Sequence, residues 1–304
     1  MATLRIGTRG SDLALWQARY VADALRRLDG DRAVEIKVIR TIGDRVLDRP
    51  IAAVGTQGVF VKEVQEELLQ GRVDLAVHSM KDLETQAVEG LILAAVPPRG
   101  AVADVLVAPG FHSLSELPQG ARIGTGSPRR RAQLLHLRPD LEMVPVRGNV
   151  PGRIERVAEA GLTGVVLAEA GLVRLGLGGR ISFTLSLDEV LPAPGQGALA
   201  IECRADDAAT RMALAPLHDA ATGAATRAER ALLRGLGGGC HAPIGAFAQV
   251  WAGRTLVLEG GVAAPDGHAV ERATLRGDVE EAAALGERLA ALLLQRGVEP
   301  WLAE

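Results

Sequence analysis

The sequence predicts two α/β domains with largely parallel sheets, followed by a small α+β domain with an antiparallel three-stranded sheet. Three observations carry this expectation. The chain has 304 residues, more than one typical domain holds and enough for two or three. Its first two-thirds alternates strand-like and amphipathic helical runs, the pattern of parallel α/β sheets. Beyond about residue 224 the pattern changes to a helix, a glycine run and three consecutive strand-like segments.

In chain order, Leu4 to Thr8 reads as a strand, Leu13 to Leu28 as an amphipathic helix and Val34 to Ile39 as a strand. Phe60 to Leu69 reads as a helix, and Val73 to His78 as a strand apolar enough to be buried on both faces. Leu91 to Val96 is another core strand. A second round follows: strand Arg122 to Thr125, helix Pro128 to Leu137, strand Met143 to Val146, helix Arg153 to Ala160 and strand Gly164 to Ala168. The two rounds look alike, without a convincing sequence repeat. Leu199 to Cys203 is an apolar strand that should return to the first domain. The last part holds a helix from about Ala224 to Leu236, then strands around Ala246 to Trp251, Thr255 to Val262 and Ala269 to Leu275. Pro265-Asp266-Gly267 supplies a turn, and Asp278 can cap a closing helix through about Gln295.

These runs suggest domains at 1–98 with 196–216, at 99–195, and at 217–304. Crossings at Pro97 to Ala103 and near Leu191 to Gly197 would form a two-segment hinge. With 48% hydrophobic and 23% charged residues the chain can bury sizeable cores, and the net charge of −3 gives no reason to expect nucleic acid or an anionic membrane. No apolar run reaches bilayer length, and Met1 to Gly10 lacks a secretory pattern, so a cytoplasmic location is expected. Two cysteines without metal-type spacing suit a reducing compartment, and no metal site is expected. The basic residues are almost all arginine, lysine occurring only at Lys37, Lys62 and Lys81. Position, not residue type, must therefore decide which arginines matter.

Four strand-to-helix junctions share one chemical theme. Thr8-Arg9-Gly10-Ser11 precedes a helix that Ser11 can cap. Gly124-Thr125-Gly126-Ser127-Pro128 leads into Arg129, Arg130 and Arg131, with Ser127 suited to the cap and Pro128 to the first helical position. Arg147-Gly148-Asn149 opens the helix that carries Arg153, and Gly55-Thr56-Gln57-Gly58 precedes the helix at Phe60. Helix starts expose unpaired N–H groups and a partial positive charge, and arginines add bidentate donors for carboxylate or phosphate. One such junction reads as ordinary capping; four together read as a cleft for a ligand bearing several negative groups.

His78-Ser79-Met80-Lys81-Asp82 ends a very apolar strand, so Lys81 and Asp82 should emerge at the same cleft. A plain surface ion pair is the alternative. His78 itself reads as a satisfied core histidine. Cys240 follows Gly237, Gly238 and Gly239, which permit unusual backbone angles and close approach. Cys203 sits inside an apolar strand and should be inert.

Together these segments resemble the porphobilinogen deaminase family along almost the whole chain. The resemblance is carried by Thr8 to Ser11 with Leu13 to Ala18, Gly58 to Glu63, His78 to Asp82, Gly124 to Arg130 and Arg147 to Val150. Ala170 to Leu172, Gly195-Gln196-Gly197 and Gly239 to Gly245 complete it. Their joint occurrence in this order is highly specific. The resemblance implies that the first two domains are related to type II periplasmic binding proteins, and that a dipyrromethane cofactor is held by thioether to Cys240. It implies stepwise addition of four porphobilinogen units with loss of ammonia, then hydrolytic release of hydroxymethylbilane, by a monomer. It places Ser79, Lys81, Thr125, Ser127, Arg129 and Arg130 around the cofactor, and Arg9, Ser11, Arg147, Arg153, Arg174 and Gln196 at substrate-binding positions. Asp82 is the expected catalytic carboxylate, accepting pyrrole N–H groups as the ring becomes cationic.

The chain departs from the family in places. Ala53 and Gln57 stand where many members have lysine, Glu84 where proline often occurs, and Pro128 where other residues are common. The segment from Ile42 to Gly58 is expected to act as a mobile lid. Two other classes compete: a solute-binding protein with a two-lobed cleft, and a phosphoryl- or phosphoribosyl-transfer enzyme. The absent export signal and the Gly-Gly-Gly-Cys segment count against the first; the absence of a P-loop and of an acidic cluster for magnesium counts against the second.

Overall fold

A computed structural model of the chain describes residues 3–40, 61–239 and 242–302. Its strands, in chain order, are β1 (Leu4–Arg9), β2 (Val34–Ile39), β3 (Leu75–Ser79), β4 (Leu91–Ala95), β5 (Asp104–Val107), β6 (Arg122–Gly124) and β7 (Glu142–Val144). They continue with β8 (Gly164–Ala168), β9 (Phe183–Thr184), β10 (Leu199–Arg204), β11 (Ile244–Trp251), β12 (Thr255–Ala263) and β13 (Val270–Asp278). The helices are α1 (Asp12–Leu28), α2 (Lys62–Leu69), α3 (Pro128–Leu137), α4 (Val150–Glu159), α5 (Glu169–Arg174), α6 (Ala208–Leu214), α7 (Ala220–Gly235), α8 (Ala282–Gln295) and α9 (Glu299–Leu302). The chain divides into two compact units, Met1–Arg99 with Ala198–Gly223, and Gly100–Gly197 with Ala224–Glu304.

In the first unit the strand order is β2-β1-β3-β10-β4. β1 runs parallel to β2 and β3, whereas β10 runs antiparallel to both neighbours. Each face of this sheet is covered. On α1, Ala18, Val21, Ala22 and Leu25 recur at helical spacing and pack with Leu4, Ile6, Leu75, Val77, Leu199 and Ile201. On α2, Val64 and Leu68 pack with Val73, Ala76 and Leu91. β3 is buried throughout except at Ser79, as a central strand between two helical layers must be.

The second unit repeats the plan with strand order β7-β6-β8-β5-β9. β6 is parallel to β7 and β8, and β5 is antiparallel to β8 and β9. Alternation along β5 separates two cores: Leu106 packs with Ile123, Leu134 and Val166, while Val105 and Val107 pack with Ile154, Val165 and Leu172. The fold class is therefore the expected one, two matched α/β sheets and a three-stranded antiparallel sheet of order β11-β12-β13, but the α/β sheets are mixed rather than largely parallel, because β10 and β5 enter them antiparallel to both neighbours.

The C-terminal sheet buries Ala246, Ala248, Leu256, Leu258 and Val262 against Ala228 and Leu232 of α7 and Leu285, Leu289 and Leu293 of α8. Small residues set the spacing. A Cβ on Gly286 would collide with the Ala228 carbonyl oxygen, and one on Gly260 with the Leu232 side chain.

Several boundaries differ from the sequence reading. α4 starts at Val150, three residues early, because the Asn149 side chain caps it by accepting from Gly152 N–H at 2.9 Å. Asp278 caps a short 3₁₀ turn, Val279–Glu281, rather than α8 itself. β5, β9, α5 and α6 were not anticipated. They are short, and β5 is an apolar run too brief to show a period.

Candidate functional site

In the first unit the predicted residues gather at one edge of the sheet. β1 and β3 are adjacent and parallel, so Arg9 to Ser11 and Ser79 to Asp82 leave the sheet at the same end. Ser11 caps α1, its hydroxyl accepting from Ala14 N–H at 3.3 Å. The Ser79 hydroxyl oxygen accepts from the buried Gln17 amide at 2.8 Å, which leaves its own proton for another partner. Met80–Asp82 forms a 3₁₀ turn fixed by Met80 N–H donating to the Ala198 carbonyl at 3.0 Å. That turn buries Met80, half-buries Lys81 and exposes Asp82.

Behind the turn, His78 is buried with Nε2 3.1 Å from Glu202 Oε2, in contact but off the line of a hydrogen bond. Gln65 holds the same carboxylate, donating at 3.0 Å and 3.2 Å. His78 is thus in the core as expected, but its Nε2 is not satisfied by a hydrogen bond as the sequence suggested. Cys203 is fully buried, and burial pushes its thiol up, as expected for an inert residue.

In the second unit, Thr125 and Ser127 follow β6, and Arg147 follows β7. Both hydroxyl oxygens accept backbone N–H groups: Thr125 from Ser127 at 3.2 Å, and Ser127 from Arg130 at 3.4 Å, as the α3 cap. Each keeps an O–H proton to give. Gly126 cannot carry a side chain here, since a Cβ would lie 2.8 Å from the Val146 carbonyl oxygen. Arg147 is exposed, and Arg153 donates through Nε to the Gly148 carbonyl at 2.7 Å. Arg174 donates to the Gly197 carbonyl at 2.6 Å.

Arg129 and Arg130 are only 4% and 5% exposed, and both turn to Asp104, which is fully buried at the head of β5. Arg130 donates to Asp104 Oδ1 from Nε at 3.0 Å and from Nη2 at 2.7 Å, and its Nη1 donates to the Val166 carbonyl at 3.1 Å. Arg129 uses Nη1 alone, donating to Asp104 Oδ2 at 2.7 Å and to the Leu191 carbonyl at 2.6 Å. Its buried Nε has no hydrogen-bond partner among the described residues. Gln196, fully buried, donates to Asp104 Oδ1 at 2.9 Å and to the Val102 carbonyl at 2.8 Å. Burial alone would push the Asp104 carboxyl up, but the two guanidiniums outweigh it and hold the group far below the ordinary carboxylate range. Burial pushes the Arg129 guanidinium down.

Asp104 and Glu202 are the residues that sequence reasoning missed. Each is an acid inside an apolar strand, Asp104 before Val105-Leu106-Val107 and Glu202 after Leu199-Ala200-Ile201. A charge placed there demands a buried partner, and that is the signal that could have found them.

Cys240, Ala53, Gln57 and the Ile42 to Gly58 segment lie outside the described residues. Among the described residues no three His, Cys, Asp or Glu side chains are placed to hold a metal ion, and no helix is long and apolar enough to cross a membrane. A groove lined by Ile92, Leu93, Ala94, Arg211 and Met212, among others, carries none of the predicted residues. The donor set at the start of α3 fits a carboxylate-bearing group: two hydroxyl protons and a guanidinium with an unpartnered buried N–H.

Two family models match the chain. One, described as the dipyromethane cofactor binding domain of porphobilinogen deaminase, matches residues 4–212; the other, the C-terminal domain of porphobilinogen deaminase, matches residues 224–295. The porphobilinogen deaminase of Syntrophotalea carbinolica is 52% identical over 302 residues, covering 99% of this chain and 96% of that one. That of Xanthomonas axonopodis pv. citri is 48% identical and covers both chains completely. Among solved structures, a nutrient binding protein from Burkholderia cenocepacia bound to methionine is 15% identical, with a TM-score of 0.44, over 70% of this chain and 90% of that one. A likeness of that size carries no weight here.

Proposed function

Because the chain belongs to the porphobilinogen deaminase family, we propose how its own residues divide the work of that enzyme. The protein is a transferase of tetrapyrrole biosynthesis that joins four porphobilinogen molecules with loss of ammonia and releases hydroxymethylbilane by hydrolysis. Its dipyrromethane cofactor, when bound, supplies the terminal pyrrole ring to which the substrate units are added.

Cys240 is the residue to which we assign the thioether, following the Gly237 to Gly239 run. Thr125, Ser127, Arg129 and Arg130 serve the cofactor's acetate and propionate groups, and Ser79 and Lys81 are also assigned to the cofactor. What supports this reading is the start of α3, where Thr125 and Ser127 keep free hydroxyl protons and Arg129 keeps a buried donor. Arg9, Ser11, Arg147, Arg153 and Arg174 bind the carboxylates of incoming porphobilinogen. Gln196 contributes through the Asp104 cluster that it completes.

Asp82 is exposed at the end of β3 on a turn pinned at both sides. Its carboxylate accepts pyrrole N–H groups, stabilises positive charge on the substrate ring as ammonia leaves, and takes the ring proton afterwards. We assign a third domain to 217–304, a cytoplasmic location whose reducing conditions keep the Cys240 thiol available, and a monomeric state without nucleic-acid or membrane partners. The net charge of −3 supports the last point.

The deciding experiment is the intact mass of the denatured protein, with peptide mapping around Cys240, before and after incubation with porphobilinogen. The expected result is an added mass of two linked pyrrole units on Cys240. A cysteine that stays bare after incubation would overturn the assignment.

A further inference from the structure

We propose that Gln133 is a positioning residue for the tethered cofactor: it fixes a spacer, Leu191 to Gly195, that sets the span between α3 and β11, the strand that begins four residues after Cys240. The proposal rests on the cofactor reading above. The spacer itself is a matter of local geometry, all of it within the second unit.

Gln133 is buried on α3, and its amide takes both backbone groups of one residue, as a neighbouring strand would. Its Oε1 accepts from Leu191 N–H at 2.8 Å, and its Nε2 donates to the Leu191 carbonyl at 3.1 Å. The same carbonyl accepts from Arg129 Nη1 at 2.6 Å. A longer contact from Gln133 Nε2 reaches the Arg129 carbonyl, one helical turn back, at 3.5 Å. The side chain is thus spent wholly on backbone groups, and α3 holds Leu191 from one side.

β11 holds the spacer from the other side. It is an edge strand, paired only with β12. Two of its outward N–H groups are nevertheless taken. Ala246 donates to the Pro192 carbonyl at 2.9 Å, and Ala248 donates to Glu229 Oε1 at 2.8 Å. The other oxygen of that buried carboxylate, Oε2, accepts from Gly195 N–H at 2.6 Å. Gly245 permits the close approach, since a Cβ there would lie 2.5 Å from the Leu191 Cβ. A slip of β11 by one residue along the spacer would carry the strand about 3.3 Å.

Such a span matters for a ligand bonded at one end. A free ligand shifts until its contacts fit. A cofactor held by a thioether cannot, so its carboxylates reach α3 only if the tether begins at the right distance. A displacement of about 1 Å can cost on the order of 10² in rate.

The test uses the full chain. Gln133→Met keeps the volume and removes both bonds to Leu191, whereas Gln133→Asn keeps the amide one methylene too short to reach. Four quantities are read: the thermal midpoint, the porphobilinogen concentration giving half-maximal primer loading by intact mass, and kcat and KM of the loaded enzyme. The midpoint should fall by about 5 °C through the lost buried hydrogen bonds. The half-loading concentration should rise about tenfold, and kcat should fall about 10- to 100-fold with KM within about twofold. A misplaced primer slows the joining step without altering the residues that bind incoming porphobilinogen.

A purely structural Gln133 would move the midpoint alone. Folded Gln133→Met with the loading and kcat of the unaltered protein would overturn the proposal, and so would a change confined to KM. If Gln133→Met does not fold, Gln133→Asn decides; failure of both to fold would make Gln133 a determinant of the fold and overturn the positioning role. An unaltered chain that gains no adduct would overturn the cofactor reading and this proposal with it. Equal loading and turnover of unaltered and variant chains count against Gln133 alone.

Discussion

Asp82 and Asp104 are both aspartates near strand ends, and their surroundings give them opposite consequences. Asp82 is exposed and Asp104 fully buried. Asp82→Ala should leave the thermal midpoint almost unchanged, as exposed substitutions do, and should lower turnover by about 10²- to 10⁴-fold, the range for a group that manages a proton and a developing charge. Turnover near that of the unaltered enzyme would remove Asp82 from catalysis. Cys240→Ser should yield a chain that carries no thioether-linked pyrrole by mass; full activity in that variant would overturn its role. The place of Asp82 in the turn after β3 was legible from sequence because it closes a short motif at the end of an apolar strand. Asp104 was not, because its partners are 25, 26 and 92 residues away and no local pattern announces them.

Helix starts were more legible than strands, for the same reason of locality. A cap is a contact across three residues. Ser11 and Ser127 could be assigned from sequence, and both make the bond expected of them. Ser127→Ala should cost about 1 kcal/mol of stability, typical for a lost cap, measurable as a shift in the denaturant midpoint without a change in slope. Gly126→Ala is a sharper probe of the same element. Its Cβ would meet the Val146 carbonyl oxygen at 2.8 Å, a backbone atom that cannot swing aside. The β6–α3 junction must then shift, and primer loading should fall even where the fold survives. Loading equal to that of the unaltered protein would show that the junction tolerates displacement. The short strands β5 and β9 escaped sequence reading because their identity comes from pairing with β8 and with each other, not from their own period.

Across the whole molecule, carboxylates dominate the response to acid. Asp104 is held far below its ordinary range by Arg129 and Arg130 despite burial, and Asp74 is held down by Arg5, again against burial. Asp207 is also lowered, by Thr210 and Arg204 against burial. A carboxylate whose folded pKa is depressed adds stability that is fully present above its unfolded value of about 3.9 and is lost as pH falls through the folded value. The thermal midpoint should therefore be nearly flat from neutrality to about pH 5 and fall steeply below about pH 4. Asp104→Asn should flatten part of that acid limb. A midpoint that holds steady down to pH 2 would show that these pairs contribute nothing.

β10 comes late in the chain yet sits inside the first sheet, between β3 and β4. During synthesis, residues up to 197 emerge with β3 and β4 made and the strand that separates them still inside the ribosome. Two bare edges wait through roughly the time needed to add another hundred residues, at 5–20 residues per second. Those edges are sticky while they wait. The same late arrival brings the Ala198 carbonyl that pins Met80, so the turn bearing Asp82 takes its shape only when the second crossing is complete. A nascent chain halted at residue 197 should be protease-sensitive around Ser79 to Asp82, and one released at residue 223 should not.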